Sequence, residues 1–124
     1  MRSNWFELPA IDIQRAKLFY ATIFEVEMGD PFEMNGSVMC FFPYDATQEG
    51  ATGTLIQQKS YVPSHEGALV YFSVKEINDV LERVESAGGK VINPKKSIGE
   101  QHGFVAHLED SEGNQVGLHQ SPAR

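Results

Sequence analysis

The chain repeats its own pattern at a spacing of 64 residues, and that repeat constrains the fold more than any other feature. Trp5 falls on Leu69, Leu8 on Phe72, Ile13 on Ile77 and Ala16 on Val80. Residue identity between the halves is low. What recurs is the placement of apolar and polar positions. Each half reads as a strand, a helix and three further strands. The full length of 124 residues suffices for one domain with a hydrophobic core and is too short for two ordinary ones. The halves are therefore two modules of a single domain spanning 1–124: module one at 4–58, a polar linker at 59–67 and module two at 68–120.

Local signals place the elements. The first strand is expected over 4–10. Asp12 then precedes Ile13, Ala16, Phe19, Tyr20, Ile23 and Phe24, whose gaps of three and four put them on one helical face. Its carboxylate suits the N-cap. Strands are expected at 26–34, 37–44 and 52–58, with Asn35-Gly36 as a tight hairpin turn. In the second half a strand over 68–74 leads to a helix with Ile77, Val80, Leu81, Val84 and Ala87 on one face. Gly88-Gly89 ends that helix. An edge strand interrupted by Pro94 follows, then strands at 103–109 and 114–120. Each half thus offers a four-stranded sheet with one face free of its helix. Two such sheets can curve into a cup whose hollow is a natural ligand site.

The stretch from Trp5 to Asp12, with Ala16-Lys17-Leu18-Phe19-Tyr20 and Phe24 after it, resembles the opening of vicinal-oxygen-chelate proteins. These are the glyoxalase, bleomycin-resistance and dioxygenase superfamily. The hairpin Asp110-Ser111-Glu112-Gly113-Asn114 followed by Val116-Gly117-Leu118 resembles their last hairpin, and Gly88-Gly89 also fits. The resemblance covers essentially the whole chain. It implies an α+β fold of two tandem βαβββ modules forming a cup-shaped curved sheet, and a homodimer. In the metal enzymes of this family four strands each supply one His, Glu or Gln ligand. The equivalent positions here are Trp5, Gly53 or Thr54, Leu69 and Gly117. None is a good ligand for a divalent ion, which needs carboxylate oxygen or imidazole nitrogen. No metal or other cofactor is therefore expected.

Strand alternation nominates the remaining candidates. Trp5 and Glu7 share one face of the first strand. Leu69, Tyr71 and Ser73 share a face of the fifth, and Gln115, Gly117 and His119 of the last. His107 belongs near Gly117 if the final hairpin is regular. Trp5, Tyr71, His107 and His119 are the expected substrate-binding residues, because flat rings with polar handles both stack and orient a planar ligand. Glu7 is the candidate catalytic residue, since a carboxylate in an apolar cup is suited to general-base work. Two readings follow. One is a protein that binds a small organic metabolite without the usual metal site. The other is a lyase or isomerase using Glu7, with a divalent metal on His107 and His119 as a further variant.

Charge narrows the partners. The net charge of −7 and pI of ≈ 5.0 repel phosphate backbones and anionic lipid, so neither nucleic acid nor membrane is an expected partner. The single cysteine, Cys40, lies in an apolar run and reads as a buried structural thiol. With an N-terminus lacking a leader-like apolar core, it suggests the cytoplasm. No phosphate-binding loop, dinucleotide fingerprint or Ser/His/Asp signature is present.

Overall fold

The structure is a computed structural model and describes residues 1–122. Module one comprises β1 (Trp5–Pro9), α1 (Ile13–Phe24), β2 (Phe32–Met34), β3 (Ser37–Phe41) and β4 (Thr52–Gln57). Module two comprises β5 (Tyr71–Ser73), α2 (Ile77–Ala87), β6 (Lys90–Ser97), β7 (Phe104–Glu109) and β8 (Gln115–Gln120). Each module forms one sheet, in the orders β1-β4-β3-β2 and β5-β8-β7-β6. The first and last strands of each module pair in parallel and the others antiparallel. The α+β architecture of two βαβββ units is the expected one.

The helices lie where their apolar stripes require. Ile13, Ala16, Phe19, Tyr20 and Ile23 of α1 are buried, as are Ile77, Val80 and Val84 of α2. The two helices pack on each other and on the sheets. Phe6 of β1, Phe42 just past β3 and Phe72 of β5 join Tyr20 and Phe24 in one aromatic cluster with centroid spacings of 4.9–5.9 Å. Phe72 comes from module two and the other four from module one, so the modules share a core.

Helix capping repeats as the sequence does. Asp12 accepts from the backbone N–H of Gln14 and Arg15, and Glu76, 64 positions later, accepts from that of Asn78. A second device also recurs. The Gln57 side-chain carbonyl accepts from Ile13 N–H at 2.8 Å, and that of Gln120 from Ile77 N–H at 2.9 Å. Each module's last strand thus holds the start of its own helix.

Three expected strands are shorter than their patterns suggested, and the one over 37–44 ends at Phe41 as β3, ahead of Pro43. The expectation over 26–34 contracts to β2, because Gly29, Asp30 and Pro31 interrupt it while Met28 turns into the core. The expectation over 68–74 contracts to β5, although Gly117 N–H still reaches Val70 O at 2.8 Å. The edge strand β6 behaves as Pro94 requires, with register shifts on both sides of Asn93. Asn35 and Gly36 turn the β2–β3 hairpin at φ 50° and 83°. Cys40 is buried as expected. Its thiol donates to Gly29 O, and burial pushes it above its usual range.

A polar lock joins the modules. Asp110, buried at the end of β7, accepts from Tyr20 Oη at 2.6 Å and from Asn114 Nδ2 at 2.9 Å. It also accepts from the backbone N–H of Glu112, Gly113 and Asn114. Asn114 Nδ2 also reaches Pro9 O at 2.7 Å. Glu112 accepts from Ile11 and Asp12 N–H and takes Arg15 in a two-pronged pair at 2.7 and 3.0 Å. The turn of module two's last hairpin therefore holds the segment that leads into module one's helix, and the Arg15 side chain on that helix.

Candidate functional site

β1 and β5 are each the outer strand of their sheet, and a cleft of ≈ 840 Å³ opens between them. Trp5 and Leu69 line it together with Tyr71 and Ser73, and Phe6, Phe24, Phe42 and Phe72 contribute apolar surface. Trp5 and Tyr71 are 42% and 45% exposed, so about half of each ring is available to a ligand. Trp5 is held edge-on against Phe41 at 5.3 Å. The rim carries Glu25, Asp45, Glu49, Glu76 and Asp79 against Lys75 and Arg83. The Arg83 guanidinium is committed to Ile23 O at 2.8 and 3.0 Å. The cleft therefore suits neutral or cationic molecules better than anions.

Sheet register settles which residues share a sheet face. In module one Glu7, Thr54 and Phe41 form one row across β1, β4 and β3. In module two Tyr71, Gly117, His107 and Asn93 form the matching row across β5, β8, β7 and β6. Tyr71 is Glu7 shifted by 64. Gly117 is matched by Thr54, a shift of 63, whereas Gly53 points to the helix side beneath Phe6. The uncertain closing-strand position of module one is thus Thr54.

Tyr71 lies over Gly117. A Cβ there would collide with Cδ2 and Cε2 of the Tyr71 ring. Tyr71 Oη meets His107 Nε2 at 2.8 Å, and His107 Nδ1 meets Asn93 Nδ2 at 3.1 Å. Tyr71 and His107 therefore come together as expected, with Asn93 a partner that sequence reasoning missed. Its contact depends on the irregular β6–β7 register around Pro94. His119 lies on the same sheet face. It lines, with Tyr71, Ser73, Val105 and Ile98, a shallower hollow of ≈ 460 Å³, and its Nε2 is 2.7 Å from His102 O.

Two expectations need correction. Glu7 shares Trp5's face but is exposed and lies outside the cleft lining, so it is not in an apolar cup. Nor does Glu7 join His107 and His119 in a ligand set. Among the described residues no three His, Cys, Asp or Glu side chains gather as a metal ion would need. The His107 ring is instead held by Tyr71 and Asn93, and that of His119 by a carbonyl.

The positions equivalent to the implied metal ligands do not fit a divalent ion either. Thr54 is buried, its hydroxyl hydrogen-bonded to Cys40 O at 3.0 Å. Gly117 offers no side chain, and Trp5 and Leu69 offer no oxygen or imidazole. Of the remaining histidines, His65 pairs with Glu109 at 2.8 Å on the surface, and His102 sits in a turn. Among the described residues no helix is long and apolar enough to cross a membrane.

Comparison with known proteins agrees with this architecture. Residues 2–118 match the family model of the Glyoxalase/Bleomycin resistance protein/Dioxygenase superfamily. No curated protein matches the chain. Among solved structures, a V278E mutant of glyoxalase I from Zea mays superposes with a TM-score of 0.72 at 16% identity. It covers 94% of this chain and 45% of the maize one, so the chain spans about half the maize enzyme. The fosfomycin resistance protein FosX from Listeria monocytogenes gives 0.69 at 17% identity, covering 98% and 93%. A glyoxylase/bleomycin resistance protein/dioxygenase domain from Frankia sp. EAN1pec gives 0.73 at 15% identity, covering 98% of each chain. At these identities the likeness is one of fold.

Proposed function

Since the chain belongs to the glyoxalase/bleomycin-resistance/dioxygenase superfamily, we propose that it binds a small organic metabolite between its two modules, without the metal site of its enzymatic relatives. The cleft between β1 and β5 carries this reading. It has the size of a ligand pocket, half-exposed Trp5 and Tyr71 on its walls and apolar surface from four phenylalanines. Side chains that would hold a divalent ion are missing from the equivalent positions. In this reading the protein acts in the cytoplasm as a homodimer.

Trp5 is the chain's single tryptophan, so its fluorescence reports on the cleft directly. A screen of uncharged aromatic compounds is expected to give ligands that quench Trp5 and raise the melting temperature, since ligand bound only to the folded state stabilises it. Trp5→Ala should weaken binding about ten-fold, and dialysis against EDTA should change neither affinity nor melting temperature. Loss of binding after chelation would overturn the metal-free reading.

A further inference from the structure

The row Tyr71–Gly117–His107–Asn93 crosses all four strands of the second sheet, and its hydrogen bonds fix a direction for one proton. The Asn93 amide nitrogen carries only donors, so His107 Nδ1 must accept. In a neutral imidazole the ring proton is then on Nε2, which donates to the Tyr71 oxygen at 2.8 Å. The Tyr71 hydroxyl proton then has no acceptor among the described residues. Gly117 makes the arrangement possible, because the Tyr71 ring occupies the space any larger residue would fill. Ser73 follows on the same face, its hydroxyl also without a hydrogen bond among the described residues. Tyr71 and Ser73 border both the cleft and the shallower hollow lined by Ile98 and Val105.

We propose that Tyr71, oriented by His107 and Asn93 and assisted by Ser73, donates to the carbonyl oxygen of an uncharged aromatic ligand whose ring lies in the cleft. This rests on the binding role proposed above and adds the class of ligand. The acidic rim disfavours a carboxylate or phosphate. Aromatic walls bordered by Tyr71 and Ser73, whose hydroxyl protons have no acceptor among the described residues, favour a molecule with an apolar ring and an acceptor at one end. Tyr71 and Ser73 are specificity residues, while His107 and Asn93 act through Tyr71 as positioning residues.

Acetophenone and α-methylstyrene test this, since they differ in shape only by C=O against C=CH2. Both are titrated against Trp5 fluorescence. One net hydrogen bond predicts that acetophenone binds about ten-fold more tightly. Tyr71→Phe should abolish that preference. Asn93→Leu frees the imidazole to take either tautomer, and the preference should fall to an intermediate value. A preference that survives Tyr71→Phe overturns the proposal. Equal binding of both compounds by the unaltered protein also overturns it, yet leaves the cleft reading standing. Binding of neither overturns both.

Discussion

At the scale of single residues, Asp110 carries more of the fold than any residue of the cleft. Its two oxygens satisfy three backbone N–H groups, the Asn114 amide and the Tyr20 hydroxyl. Burial, reinforced by the Asp110 charge, holds the Tyr20 phenol well above its usual range, so it stays a donor throughout the physiological span. Removing the carboxylate strands several buried donors at once. Asp110→Ala should cost about 3 kcal/mol, measured by urea unfolding, whereas Tyr20→Phe removes only one partner and should cost about 1 kcal/mol. A smaller loss for Asp110→Ala than for Tyr20→Phe would refute this account. The sequence displayed only half of this. Asp110 to Gly113 is readable as a turn, and Tyr20 as one member of an apolar stripe. Their contact spans 90 positions, and no local pattern encodes it. For the same reason Tyr71 and His107 were legible as candidates through strand alternation, but Asn93 was not.

Among the elements, the helices were the most legible and the short strands the least. Asp12 and Gly88 mark helix ends through side-chain and backbone preferences that act within a few residues. The C-terminus of α1 is an exception. Glu25 takes the left-handed conformation at φ 53°, a place where sequence signals favour glycine or asparagine. Strands β2 and β5 were drawn too long because apolar character continues beyond the paired residues into positions that pack without pairing. The glutamine caps depend on register and so were invisible beforehand. Gln57 and Gln120 each close the first turn of their own module's helix. Replacing either with alanine leaves one N–H unpaired and should cost about 1 kcal/mol. Because the sites are separate, the double variant should lose the sum of the two single losses, by chemical denaturation. A double variant no less stable than either single one would count against equivalent roles.

For the molecule as a whole, the repeat in the sequence correctly forecast two modules, while the forces joining them were not forecast. Part of the join is apolar, through Phe72 and the aromatic cluster of module one. The other part is ionic and concentrates on Glu112, whose side chain is buried while Arg15 stays half exposed. Burial alone would raise the Glu112 carboxyl. Hydrogen bonds from Arg15, Asp12 N–H and Ser111 together outweigh it and hold the group below the usual carboxylate value of 4.5. A carboxylate depressed in the folded state contributes stability that is fully present above its unfolded value. That contribution is lost as pH falls through the folded value. The junction should therefore weaken as pH falls below 4.5, while remaining intact at neutral pH. Glu76, also held low by Asn78 N–H and Lys95, adds to the same acid limb from the protein surface. Glu112→Gln keeps the shape but gives up the charge, so it should lower stability at pH 7 and make the remaining acid limb shallower. Melting temperatures of both proteins between pH 7 and pH 3 measure this directly. The two curves should converge as the pH falls; parallel curves would mean that the charge on Glu112 does not hold the modules together.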